Sequence, residues 1–374
     1  MTTGLILTGG GARAAYQVGV LKAIAELLPD KQRNPFPIIC GTSAGAINAA
    51  SLAVFARDYG VAIRYLIEVW ENFHAHHVYR SDALGIARTG AHWLGALMAG
   101  WVVKTGPKSL LDNAPLAGLL KRNLDLEEIG RSLEAGALDA LCITASGYTS
   151  GQSVNFYQCR DDIAPWARSQ RVACRCPITH AHLLASSAIP FVFPAVKINR
   201  EYFGDGSMRQ LAPISPAIHL GASRVLVVGA GRIHEPNERV KGDSYPSLAQ
   251  IAGHAMSSIF LDSLNVDIER VQRVNRTISL LPDDKRSNGD FELRPVEVLV
   301  IAPSERLDAL AAEHVRRLPW PVRALLRGIG AMNRRGSALA SYLLFEREYT
   351  RALIDLGYQD TMHRAEEVQR FLLA

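Results

Sequence analysis

The chain contains no apolar run of about 18 residues or more, the length a membrane-crossing helix requires. Its opening stretch, MTTGLILTGG, lacks the basic head and the small-residue cleavage site of a secretory leader. The expectation is a chain of the cytoplasm, with at most a peripheral contact at the inner face of the membrane. Cysteine is scarce: Cys40, Cys142, Cys159, Cys174 and Cys176 make an odd number, with no repeated CxxC and no Cys/His spacing of a zinc site. Reduced thiols are expected, and a disulfide framework is excluded as the source of stability. Internal repeats, low-complexity linkers and the aromatic-basic modules of nucleic-acid readers are all missing, so no nucleic-acid partner is expected. What is present suits a globular protein: 374 residues, 48% apolar and 21% charged, enough to bury a large core. The net charge of +5 points weakly to an anionic partner and does not name it.

Strand and helix signals alternate early. GLILT reads as a short buried strand, followed by RAAYQVGVLKAIAELL with Tyr16, Val20, Ile24 and Leu27 near helical spacing. A strand over Ile38 to Cys40, a tight turn and an Ala-rich helix repeat the design, which predicts an α/β sheet with parallel strands. Helices are predicted in YGVAIRYLIEVWENF, in LLDNAPLAGLLKRNL and in ITHAHLLASSAI, the last stopped by Pro190. LDALCITASGYTSGQSVNFYQC reads as two strands about a Gly/Ser turn, AVKINREYFGDGSMRQ as a strand pair ending in a turn, and SRVLVVGAG and VEVLVIAPS as late strands. A long helical stretch is expected from about 246 to 275. Helices are expected again from Ser304 to the end, so the chain is expected to divide into one main domain over 1–303 and a helical C-terminal extension over 304–374.

The three glycines Gly9, Gly10 and Gly11, between the first strand and the first helix, admit two readings. Gly9, Gly11 and Ala14 satisfy the G-x-G-x-x-G/A pattern of a dinucleotide site. That fold also wants an acidic residue at the end of the second strand, whereas Asp30, which has the spacing, precedes that strand. The alternative is an oxyanion loop.

GTSAG, Gly41 to Gly45, places Ser43 between an apolar strand and a helix. A sharp turn there exposes a hydroxyl, small neighbours relieve crowding, and the helix N-terminus favours developing negative charge. A plain N-cap is the bland alternative. A serine nucleophile needs a base and an oxyanion hole. His254, His314 and His363 come late enough for an α/β-hydrolase triad, but none stands in a distinctive loop. Asp205, between Gly204 and Gly206 after a strand-like stretch, offers a carboxylate on a tight turn, although Asp-Gly alone is an ordinary turn signal.

Taken in order, GGGARAAYQVGVL, GTSAG and DGS resemble the patatin-like phospholipases, and KSLLDNAPLAGLL and LLASSAIPFVFPAV resemble bacterial members between the elbow and the aspartate. The resemblance runs over residues 4 to 230. It implies a three-layer α/β/α sandwich with a central, mostly parallel sheet, and a Ser-Asp dyad that uses no histidine. On that pattern Ser43 is the nucleophile and Asp205 the base. Gly41 and Gly45 shape the nucleophile elbow, and Gly206 and Ser207 form the aspartate turn. Backbone N–H groups of Gly10, Gly11 and Ala12 form the oxyanion hole, with Arg13 steadying the loop or adding positive charge. Two residues depart from the pattern: Ala14 replaces the usual glycine after the arginine, and Ser207 replaces glycine or alanine.

The implied activity is serine acyl hydrolysis of fatty acyl esters of lipids. A soluble esterase or thioesterase, or a catalytically weak scaffold that keeps the fold, are the alternatives. No cofactor is expected. His74, His76 and His77 invite a metal, but no acidic or Cys partner stands at ligand spacing, so no metal site is expected. Two segments suit a membrane surface. One is the apolar stretch 91–103 with Trp93 and Trp101. The other is 313–337, where Val322, Leu325, Leu326, Ile329 and Met332 share a face beside Arg316, Arg317, Arg323, Arg327, Arg334 and Arg335.

Overall fold

The computed structural model describes residues 2–82, 85, 109–232, 245, 247–282, 287–288, 291–292, 294–328, 330–332 and 336–373. The stretch 91–103 lies outside them, as do Ile329, Arg334 and Arg335.

In chain order the strands are β1 (Thr3–Leu7), β2 (Ile38–Thr42), β3 (Ala140–Gly147), β4 (Ser153–Cys159), β5 (Ala167–Arg168), β6 (Arg171–Arg175), β7 (Val196–Ile198), β8 (Glu201–Asp205), β9 (Arg224–Val228), β10 (Ser287–Asn288), β11 (Phe291–Glu292) and β12 (Glu297–Ile301). The first helices are α1 (Ala15–Leu27), α2 (Ala44–Val54), α3 (Tyr59–Glu71), α4 (Ala75–Val78), α5 (Ala114–Asn123), α6 (Glu128–Glu134), α7 (His180–Ser186) and α8 (Ser215–His219). Then come α9 (Leu248–Ser257), α10 (Ser263–Ser279), α11 (Leu307–His314), α12 (Trp320–Gly328), α13 (Ser337–Leu343), α14 (Arg347–Met362) and α15 (Ala365–Leu373).

The central sheet runs β12-β9-β1-β2-β3-β4-β6-β5. From β12 to β3 all neighbours are parallel; β4 turns antiparallel to β3, β6 is parallel to β4, and β5 closes that edge antiparallel. Side chains alternate across it as period-2 geometry requires. Leu5, Leu7, Leu226 and Val228 enter the large core beneath α1, α2 and α3, while Ile6, Val225 and Val227 enter a second core with Ala217 of α8 and Leu264 of α10. Helices therefore cover both faces of a mostly parallel sheet, the three-layer arrangement expected.

Along one side of β3, β2 is paired as far as Thr42↔Thr144. From the next residue β8 takes over in the opposite direction, at Asp205↔Ala145. The carboxyl ends of β2 and β8 thus meet head to head. This junction places the residues after β2 beside the last residue of β8, at the strand ends where open α/β sheets bind their ligands.

Several elements differ from expectation in instructive ways. The short pair β5 and β6 was not expected, because Arg171, Arg175 and Gln170 interrupt any apolar alternation there. Helix α7 ends at Ser186, short of Pro190, where the hydroxyls of Ser186 and Ser187 bind groups across the chain. The long stretch from 246 to 275 is two helices joined by a π turn at Ser258–Asp262, which carries the buried Phe260. The helices beyond Ser304 pack on the same large core: Leu343, Phe345, Tyr349, Leu353, Ile354 and Phe371 are all members of it. Helix α1 lies between the sheet and α14, and is buried on nearly every side. All five cysteines are free thiols.

Candidate active site

Ser43 is the first residue after β2 and the cap of α2, with φ 55° and ψ −130°. A non-glycine residue in this region of backbone space costs on the order of 1–3 kcal/mol and is held only where its surroundings over-determine it. Here they do. The Ser43 N–H donates to Ser186 Oγ at 2.9 Å, and Ser186 Oγ donates to the Thr144 carbonyl at 2.6 Å. On the other side Ser187 Oγ donates to the Ser43 carbonyl at 3.2 Å, and Ala46 N–H to the same oxygen at 2.9 Å. The turn is also packed too closely for side chains at its glycines. A Cβ on Gly45 would run into the carbonyls of Leu7 and Thr8, and one on Gly41 into the first turn of α2.

Asp205 ends β8 and is 1% exposed. Its N–H donates to the Ala188 carbonyl at 2.9 Å, so the segment that straps the serine turn also fixes the aspartate. Ser207 N–H donates to Asp205 Oδ1 at 2.9 Å, closing the turn through Gly206. Burial pushes the carboxyl up to about 6, against smaller downward pulls from the Ser43 hydroxyl and from the Ser207 N–H and hydroxyl. The Ser43 contact falls short of a full hydrogen bond, since Oδ2 is buried with no partner of proper distance and angle among the described residues.

The glycine loop follows β1. Gly10 precedes a short 3₁₀ turn over Gly11–Ala14, whose opening N–H groups have no partner inside the turn. Gly11 has φ 55°, and a Cβ there would strike the Tyr342 carbonyl. The N–H of Arg13 is committed to the Gly10 carbonyl at 3.1 Å. Its guanidinium is bound by α13: Nε donates to Ser341 Oγ at 2.8 Å and the group lies 4.1 Å from the centre of the Tyr342 ring. Ala14 is fully buried and accommodated, its carbonyl accepting from Asn48 Nδ2 at 3.2 Å. Asp30 accepts from the N–H groups of Gln32 and Arg33 in an exposed turn well before β2. The acidic group that a ribose site needs is thus spent locally, and β2 ends in the serine turn.

Gly11 and Ser43 line one cavity of about 740 Å³, counting the space at its mouth. Its walls are mostly apolar, and its floor follows one face of α2 through Ser43, Ile47 and Ser51. Those positions are four residues apart, so the face extends about 12 Å from the serine. Leu116, Leu120, Trp70 and Phe345 enclose the rest. Such a chamber suits a flexible apolar chain whose polar end lies at Ser43.

The late histidines stand elsewhere. His254 and His363 are exposed, His314 packs near Tyr349, and none lines the cavity. His74 finds a partner that the sequence could not reveal: its Nδ1 lies 2.9 Å from Glu346 Oε2. Among the described residues no group of three or more His, Cys, Asp or Glu side chains could hold a metal ion. Sequence reasoning also missed Ser186, Ser187, Tyr342 and Phe345, whose roles come from contacts across the fold. LLASSAIP carried the only local hint, two hydroxyls next to a helix stop.

Comparison with known proteins gives three findings. The model of the patatin-like phospholipase family matches residues 5–218. Lysophospholipase nte1 of Aspergillus terreus is 47% identical over 64 residues, which are 17% of this chain and only 4% of that much longer protein. Among solved structures, VipD of Legionella pneumophila shares 14% identity at a TM-score of 0.35, over 98% of this chain and 67% of its own. Human GIVD cytosolic phospholipase A2, in complex with methyl gamma-linolenyl fluorophosphonate, shares 15% at a TM-score of 0.45, over 100% and 59%. The family match spans more than half of the chain and takes in the glycine loop, the serine turn and the aspartate turn, and by it the chain belongs to the patatin-like phospholipase family.

Proposed function

We propose that this protein is a serine acyl hydrolase that cleaves fatty acyl esters of lipids through Ser43 and Asp205. The observation that carries the proposal is the meeting of β2 and β8, which sets a strained, buried serine beside a buried carboxyl at the end of a long apolar cavity. Family membership supports lipid substrates, and the name of the Aspergillus relative agrees with that class.

As Ser43 Oγ bonds to the acyl carbon, its proton passes to Asp205 Oδ2 and the carbonyl π pair moves onto oxygen. The N–H groups at the start of the glycine turn, from Gly10, Gly11 and Ala12, stabilise that oxyanion. Collapse of the intermediate breaks the C–O bond of the ester, and the departing alcohol takes the proton from Asp205. Water then attacks the acyl-enzyme with Asp205 again as base, releasing the fatty acid and restoring the Ser43 hydroxyl. A carboxyl raised toward neutrality is a better base for this than an ordinary one.

Labelling with a fluorophosphonate tests the reading. The intact protein should label at Ser43 and hydrolyse phospholipid or lysophospholipid, and Ser43→Ala should do neither. Activity confined to water-soluble esters or thioesters would move the substrate class. A folded protein that fails to label would sink the enzyme reading in favour of a scaffold.

Access to lipid is proposed to be peripheral, since no helix among the described residues is long and apolar enough to cross a membrane. In 313–337 the expected apolar face is turned inward: Val322 and Leu326 are buried in the large core, leaving Trp320, Arg316, Arg317 and Arg327 exposed. Contact there would be electrostatic, with Trp320 as the only inserting group among these. Co-sedimentation with phosphatidylglycerol vesicles should weaken several-fold in an Arg316→Gln/Arg317→Gln variant; equal binding would remove this surface from the proposal.

A further inference from the structure

The family match ends at residue 218, yet Phe345 in the cavity lining and one side of the glycine loop come from residues 337 to 346. The contacts are specific at both ends of this segment. At its start, the Arg13 guanidinium is held by Ser341 Oγ and lies over the Tyr342 ring, while the Tyr342 carbonyl closes against Gly11. Phe260, brought inward at the π turn, stacks on Tyr342 with ring centres 5.0 Å apart and abuts Gly9. The loop is therefore gripped through two of its three glycines and through Arg13.

At its end, Tyr79 Oη donates to the Leu343 carbonyl at 2.9 Å. Glu346 takes His74 Nδ1 with one oxygen and the Ala75 N–H with the other, at 2.9 and 3.3 Å. Between these two fastenings Phe345 faces the cavity, 5.7 Å from Phe73 and 6.4 Å from Trp70, ring centre to ring centre.

We propose that the 337–346 segment is a working part of the catalytic site: Ser341 and Tyr342 are positioning residues for the oxyanion loop, and Phe345 determines which acyl chains fit. The inference rests on the acyl-hydrolase reading above. Its physical basis is the weakness of the loop on its own. Three consecutive glycines hold no conformation by themselves, whereas donors to a developing oxyanion must be placed within about 0.5 Å of the productive geometry. The clamp from α13 supplies the missing rigidity. Phe345 contributes contact area to the apolar wall, where each methylene buried adds about 0.8 kcal/mol, roughly fourfold in binding of the transition state.

The test compares p-nitrophenyl butyrate and decanoate, with every preparation normalised by fluorophosphonate titration of active sites. Ser341→Ala should lower kcat about tenfold for both esters, with KM within twofold and the decanoate-to-butyrate ratio unchanged. Phe345→Leu should instead shift that ratio of kcat/KM by about tenfold, the worth of one to two methylenes; should it fail to fold, Phe345→Met takes its place. A merely structural role would lower the titrated fraction and the melting temperature without separating kcat from KM or one chain length from the other. Variants with wild-type kcat and an unchanged ratio, beside an active wild type, would overturn the inference. A wild type that neither labels nor cleaves either ester would overturn the hydrolase reading first, and the inference with it.

Discussion

Asp205 carries the largest electrostatic cost in the site, and that cost has a sign that can be measured. Its carboxyl rises from 3.8 to about 6 because burial disfavours the charge. Between those values the folded protein keeps a proton that the unfolded chain gives up, so stability falls as pH rises from about 4 to about 6. The penalty is complete above pH 6 and corresponds to roughly 3 kcal/mol. Asp205→Asn removes the charge, so we expect it to be more stable than the wild type at pH 8, by up to about that amount, and to gain nothing at pH 3.5. It should also lose essentially all ester hydrolysis. Urea melts at the two pH values check the first expectation. In the wild type, kcat/KM should rise with pH and reach half its plateau near pH 6, where Asp205, the proposed base, becomes ionised. Full activity in Asp205→Asn would return the role to a histidine. Both candidate groups were legible from sequence because each sits on its own short turn, GTSAG and DGS. The hydroxyls that hold them were not: Ser186 is 143 positions from Ser43, and no local pattern announces that hydrogen bond.

At the scale of elements, the site depends on how closely α2 approaches β1. Gly45 lies against the backbone of Leu7 and Thr8; Leu7 is held in the parallel pairing of β1 with β2 and β9, and the Thr8 carbonyl accepts from Gln17 Nε2 at 2.7 Å, so a retreat of either would break hydrogen bonds. A methyl group there meets main chain, where relief by a rotamer change is unavailable. We expect Gly45→Ala to cost more than about 3 kcal/mol by denaturant titration, at the severe end of overpacking in a filled interior. A loss under 1 kcal/mol would mean that α2 can slide along the sheet. Strands buried on both faces and helices with clear periodicity were readable, and β1, β2, α2 and α3 follow their apolar patterns closely. The head-to-head meeting of β2 and β8 was not, because it is a fact of register along β3, and register is set by pairing partners that lie 56 to 102 residues away. The edge pair β5 and β6 escaped for a different reason. Its polar residues suit an edge strand and erase the alternation by which a strand is recognised.

For the whole molecule, the question is whether the residues after 303 form an attachment or part of the body. Helix α14 lies along α1, with the Ile354 carbonyl against Gly19 and the Tyr16 carbonyl against Gly357. Tyr16 Oη donates to Asp360 Oδ2 at 2.9 Å, and Tyr349, Leu353, Ile354 and Phe371 are buried in the same core as the sheet. Each large apolar side chain of this kind is worth about 1.5–3 kcal/mol when buried. Four of them alone approach the whole net stability of an ordinary domain, about 5–15 kcal/mol. Removing them would also strip the outer face of α1, which carries the glycine loop at its start. We therefore expect a chain truncated after residue 303 to show no cooperative melt and to bind a hydrophobic dye. The full chain should unfold in one transition that coincides by far-ultraviolet dichroism and tryptophan fluorescence. Helicity after Ser304 was readable in the sequence, but its place in the core was not, since an amphipathic helix does not reveal which surface it covers. Two separated transitions in the full chain, or a truncated chain that melts cooperatively and still labels with fluorophosphonate, would make the C-terminal helices an independent unit. The shared core and the grip of Tyr342 on Gly11 argue for the opposite result.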